Sequence, residues 1–317
     1  MQSTRLQPII MMHTHVIFAF LLILSLIYVD GSSIGGRHSY SLTTFDPSGN
    51  LDQVGRAVRA SMLGTPLVAL SIPSSPETVT ISDSESTSTP PDEGIYICIP
   101  LRFMGTSSPL IIDDGTPRIV PISSSISICH TGVGADGRVL CDIAVKIALD
   151  YRYIYGEEIS QEELLEALAE KVQEMTMKAG GRPYGCALLV ACLGGDQGRR
   201  ATMYRIDPSG SVELLNLSNS KDERKPSVAC LGKWNRQKEQ SFRSQLCSQQ
   251  FTSEQQVKDA LMNGFENDDD AITTIQSTPS EGGSNQTFLY ASFTRKYGLR
   301  TSRVIKENHD GMTNTSI

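Results

Sequence analysis

Apolar positions along this chain recur with more than one period, and each period predicts a different element. Leu51, Val54 and Val58 fall at helical spacing after a turn at residues 47–50, so a short amphipathic helix is expected up to about Gly64, with Pro66 ending it. Leu67 to Ile72 and Gly94 to Phe103 read as strands. The intervening residues 73–93 are dominated by Ser, Thr, Pro and acids, cannot support a core, and are expected to form an exposed insertion. Ile119 to Thr131 predicts a strand pair or one bent strand, with a turn at Pro121 to Ser124.

Two helices are expected next. Val139, Leu140, Ile143, Ala144, Ile147, Ala148 and Tyr151 form one stripe, and Asp136 stands where an N-cap belongs. The second helix opens with a capping box, Ser160 to Glu163, carries the stripe Leu164, Leu165, Leu168, Val172 and Met175, and stops at Gly180-Gly181 and Pro183. Tyr184 to Leu193 is continuously apolar, which predicts a strand buried on both faces. Strands at Ala201 to Ile206 and Ser211 to Leu217 flank the turn Asp207 to Gly210, and a loop then leads to a helix around Lys233 to Cys247. Strands, two long helices and strands again predict a layered α+β domain, here residues 32–265. Residues 266–317 are expected to be an acidic, poorly ordered tail holding one edge strand around Thr287 to Phe293, after a helix candidate from Glu254 to Phe265.

Residues 1–31 stand apart. Arg5 precedes the apolar run Val16 to Val29, and small residues follow at Gly31 to Ser33, a pattern that reads as a secretory signal peptide. A membrane anchor extended back through Pro8 to Met12, or an artefact of gene prediction, would leave the same pattern. The cysteines pull the other way. Seven of them form no CxxC pair and no metal-ligand spacing with the five histidines, and Cys98, Cys129, Cys186 and Cys192 lie in apolar runs as buried thiols, which favours a reducing compartment. With 28 basic against 35 acidic residues and a net charge of -7, scattered rather than clustered, nucleic-acid binding is not expected. There is no P-loop, GxSxG or HExxH, and Gly132-Val133-Gly134 reads as a strand-to-helix turn, so no cofactor is implied.

The run SYSLTTFDPSGNLDQVGRA (Ser39 to Ala57) resembles the N-terminal signature of proteasome alpha subunits. Arg118-Ile119 with Pro121-Ile122, TGVGADGRVL (Thr131 to Leu140), the helix pair, GGRPYGCALLV (Gly180 to Val190) and YRIDPSG (Tyr204 to Gly210) follow in the family's order, and SLTTF with RIVPI are most similar to the second alpha type. The resemblance implies the N-terminal-nucleophile hydrolase fold, a four-layer α-β-β-α sandwich assembled in seven-membered rings. It also implies a non-catalytic ring subunit acting in assembly, substrate gating and activator docking during ubiquitin-dependent degradation, in cytoplasm and nucleus. The implied partners are other alpha and beta subunits and the C-terminal tails of regulatory caps, and no stable membrane insertion is expected once the leader is removed.

By the same resemblance Arg118 lies in an activator pocket, where its planar fork suits a carboxylate. Residues 32–42 would form a gate tail, and His38, Tyr40, Pro47, Gln53 and Arg56 would be gate and ring-contact positions. The chain departs from the family pattern: Asp46 replaces the usual Ser, Gly55-Arg56 replace Glu-Tyr, and the 73–93 insertion is extra. Arg56 and His38 thus occupy two positions that are aromatic in the family, which should weaken the aromatic cluster there. Catalytic members of the fold use an N-terminal Thr with an Asp about sixteen and a Lys about thirty-two residues on. Thr43 would find Arg59 and Ser75, and Thr44 would find Ala60 and Pro76, so no catalytic residue is expected. Two alternatives remain beside the ring subunit: a hydrolase exposed by processing, and a secretory or organellar paralogue that binds without assembling.

Overall fold

The computed structural model describes residues 45–46, 48–73, 91–101, 117–178, 180–194, 201–215, 226–266, 286–306 and 312–315. The leader, most of the 73–93 insertion and the acidic run 268–270 lie outside these residues. Along the chain run helix α1 (Asp52–Met62), strands β1 (Leu67–Ile72), β2 (Gly94–Pro100), β3 (Ile119–Pro121) and β4 (Ile126–Gly132), and helices α2 (Gly134–Tyr155) and α3 (Gln161–Met177). Strands β5 (Cys186–Cys192), β6 (Thr202–Ile206), β7 (Val212–Leu214) and β8 (Ser227–Leu231) follow. Helices α4 (Arg236–Ser248) and α5 (Glu254–Glu266) and strands β9 (Gln286–Thr294), β10 (Gly298–Lys306) and β11 (Met312–Thr315) complete the described elements.

Two antiparallel sheets result, ordered β11-β10-β9-β2-β1-β8 and β3-β4-β5-β6-β7. Strand β5 is apolar throughout because its two faces enter different cores. Ala187, Leu189 and Ala191 meet Leu67, Ala69, Ile95 and Ile97 of the first sheet, while Leu188 and Val190 pack under α2 and α3 with Leu140, Leu164 and Leu168. The outer face of the first sheet, with Val68, Leu70 and Tyr96, is covered by Phe242 and Leu246 of α4 and Val257 and Leu261 of α5. The layers are therefore helices, sheet, sheet, helices, the expected four-layer sandwich. Each fully buried Leu or Ile in these cores contributes about 1.5–3 kcal/mol.

Several local expectations form as anticipated. The capping box is made on both sides, Ser160 Oγ accepting from Glu163 N and Glu163 Oε2 accepting from Ser160 N, each at 3.3 Å. Ile119 to Thr131 resolves into a strand pair in which Ile119 faces Cys129. All seven cysteines are free thiols.

Other features differ from the expectation. Asp136 is not the N-cap of α2: Val133 is, with no side-chain cap, and Asp136 lies in the first helical turn. The buried stripe of α2 is Leu140, Cys141, Ala144 and Ala148, whereas Val139 is 46% exposed. The loop expected before α4 contains β8, which pairs with β1 at the sheet edge. The strand expected near residue 290 forms, but between β2 and β10 rather than at an edge. Phe288 and Tyr290 face the helices and Phe293 the inter-sheet core, so residues after 265 complete the sandwich.

Candidate functional site

A built turn leads the chain into α1. The carboxylate of Asp46 accepts from Ser48 N at 2.9 Å and Asn50 N at 2.7 Å and bonds the Ser48 hydroxyl, while Gly49 takes the left-handed φ of 84° that closes the turn. These donors, Asn50 N foremost, hold the Asp46 carboxyl below its ordinary range. Asp46 thus builds this turn and places a charge in it. Helix α1 then lays Ala57 and Ser61 on the second sheet, its end pressed on the β4 terminus, where a Cβ on Gly132 would stand 3.0 Å from Ser61 Cα.

Beyond α1 the chain continues without a break through Gly64-Thr65-Pro66 into β1. Backbones converge here. A Cβ on Gly64 would fall 2.0 Å from Gly132 N, and one on Gly232 would fall 2.4 Å from Thr65 O. Thr131 Oγ1 donates to Thr65 O at 2.6 Å, and Lys233 N donates to Gly64 O at 3.0 Å. The surroundings of Thr65 are therefore packed with main chain. Thr43 and Thr44 lie outside the described residues; Arg59 and Ala60, the positions tested against them, are both on α1.

Asp136 ties the next loop to α2. Its two oxygens accept from both terminal nitrogens of Arg182 at 2.7 and 2.8 Å, and Oδ2 also accepts from the Gly185 amide at 2.8 Å. The Arg182 hydrogen bonds in particular hold this carboxyl below its ordinary value. Val133 N donates to Gly185 O at 3.0 Å, so segment 182–185 is pinned at the head of α2 from both sides.

Arg118 is half-buried at the start of β3. Ile119 pairs with Cys129 and Val120 with Ile128, so one step back along the ladder sets Arg118 opposite His130. His130 is 7% exposed, and its ring occupies the space a side chain on Gly137 would need. Burial first, then the charges of Arg118 and Arg138, push the imidazole down to about 4, so it is neutral at physiological pH. Of the expected gate positions, Gln53 is half-buried and Arg56 exposed on α1, while His38, Tyr40 and Pro47 lie outside the described residues. The Arg118 strand pair and α1 meet at Thr131-Gly132. Sequence reasoning missed His130, Gly137 and the Asp136–Arg182 pair; a glycine in the first turn of a strong helix was the one local sign of a close neighbour there.

Two facing antiparallel sheets between helix pairs, entered through a helix ahead of the first strand, place this chain among α+β sandwiches of the N-terminal-nucleophile hydrolase class. A family model described as proteasome subunit matches residues 103–216. The Caenorhabditis elegans protein named proteasome subunit alpha type-2 is 32% identical over 178 residues, 56% of this chain and 66% of that protein. Its namesake in Saccharomyces cerevisiae is 33% identical over 176 residues, 55% and 61% of the two chains. In Neurospora crassa the protein named probable proteasome subunit alpha type-2 is 35% identical over 176 residues, again 55% and 61%. The chain belongs to the proteasome subunit family, and its match spans 61% to 66% of the length of these relatives.

Proposed function

We propose that this chain is a non-catalytic alpha-ring subunit of a proteasome core particle, contributing to ring assembly, substrate gating and activator docking in ubiquitin-dependent protein degradation. The observation that carries the reading is helix α1 ahead of β1, packed on the second sheet through Ala57 and Ser61, the element that the resemblance assigns to the alpha type. The family match and the alpha type-2 names of the relatives support the same assignment. Its partners are other alpha and beta subunits, with Gln53 and Arg56 on α1 as ring contacts and His38, Tyr40 and Pro47 as gate positions ahead of it. Arg118 receives the terminal carboxylate of a regulatory cap through two parallel hydrogen bonds. Cytoplasm and nucleus are the compartments this reading assigns. Among the described residues no helix is long and apolar enough to cross a membrane.

Affinity purification from the native source, followed by native mass analysis, tests the assignment. Co-migration with several other alpha and beta subunits is expected. A free monomer, or peptidase activity with covalent labelling of a threonine in this chain, would overturn it.

A further inference from the structure

We infer that His130 is a second anion-binding group of the Arg118 pocket, taking up a proton when a carboxylate docks there and so tightening the docking as pH falls. This rests on the docking role proposed for Arg118.

The geometry comes from register and packing. One step beyond the Ile119–Cys129 pair Arg118 falls opposite His130, and alternation along the strands puts both on the face where Val120 and Ile128 pack. Gly137 holds the imidazole against α2: a Cβ there would stand 2.2 Å from Nδ1, so that edge of the ring faces helix backbone. The ring is more than nine-tenths buried.

The charged groups acting on it are of one sign. Arg118 comes from β3 and Arg138 from α2. Asp136, the acid in the same turn of α2, accepts from Arg182 and Gly185. Cys141 on α2 and Cys186 on β5, both pushed up to about 12 by burial, are neutral thiols. A buried imidazole within the field of the Arg118 and Arg138 charges stays unprotonated. A carboxylate arriving against Arg118 supplies the missing negative charge, offsets that repulsion, and gives a protonated ring an acceptor. At about pH 5 close to one proton then moves from solvent to His130 for each carboxylate bound, and no covalent bond changes.

Linkage sets the size of the effect. The free imidazole titrates at about 4. If the bound carboxylate restores it to the ordinary value of about 6.5, affinity at about pH 5 exceeds that at about pH 7.5 by roughly 25-fold; a partial return to about 5.5 gives roughly fourfold. A suitable probe is N-acetyl-trialanine with a free C-terminal carboxylate, titrated into the full-length chain together with the subunits that co-purify with it, beside the C-terminal amide as control. The wild type should bind the acid at least about fourfold more tightly at the lower pH, and His130→Gln should abolish that ratio. Should His130→Gln fail to fold, calorimetry of the wild type in buffers of different ionisation enthalpy replaces it, with close to one proton taken up per peptide at about pH 5.

Affinity independent of pH in the wild type, or a pH dependence that survives His130→Gln, overturns the role of His130 and leaves the docking reading standing as long as Arg118→Gln weakens binding. Unchanged binding in Arg118→Gln, equal binding of acid and amide, or no binding at any pH overturns the docking reading and this one together.

Discussion

Replacing Asp136 by alanine removes three hydrogen bonds from one place: two from the Arg182 guanidinium and one from the Gly185 amide. Their losses are unequal. The Arg182 side chain is 63% exposed, so its nitrogens return to water and the ion pair itself contributes only about 1 kcal/mol. The Gly185 amide bond is buried, and with the carboxylate gone its donor goes unsatisfied at about 1–3 kcal/mol. The expected loss is about 2–4 kcal/mol, which for a domain of this size lowers Tm by on the order of 10 °C. Urea denaturation of the full chain followed by circular dichroism measures the first figure and thermal melting the second. Asp136→Asn keeps an acceptor for Gly185 and should lose about half as much. In a double-mutant cycle with Arg182→Ala, the coupling should be about 1 kcal/mol. The carboxyl titrates lower in the folded chain than in the unfolded one, so its contribution is complete above about pH 4 and disappears as pH falls through the folded value. The gap between wild type and Asp136→Ala must therefore narrow below about pH 4. A loss under about 0.5 kcal/mol, or a gap that widens in acid, would refute the reasoning.

Two further outcomes follow from local geometry. Gly137→Ala sets a methyl group against the His130 ring and should destabilise the chain by about 1–3 kcal/mol in urea denaturation, with much of the loss recovered in Gly137→Ala, His130→Ala; an additive pair would show that the ring is not the obstacle. Ser160→Ala removes one half of a complete capping box and should cost about 1 kcal/mol by the same measurement, with amide exchange rising in the first turn of α3; unaltered exchange there would count against the cap.

How much of the chain was legible depended on the range of the information each segment carries. Helix α3 announced itself because its stripe, capping box and glycine stop are all local; β1 and β5 did so because strands between a sheet and a helix layer are apolar on both faces. Strand β8 is only five residues long, and β10 carries Arg300 and Arg303 beside few apolar residues, so pairing with β1 and β9 rather than local composition makes them strands. The family motifs marked Arg118 and the gate positions, whereas His130 looked like one residue of an apolar strand.

By itself the amino-acid sequence determined the layered α+β class, most of the helices and strands, and the family, because hydrophobic period and short motifs are properties of neighbouring residues. The tertiary structure alone decided that Asp136 would bond a loop 46 residues away rather than cap its own helix. It also decided that the strand after residue 285 would lie inside the sheet, and that Arg118 would face an imidazole seated on a glycine. Each is a choice among partners distant in the chain, settled by which arrangement satisfies buried donors and fills buried volume at once.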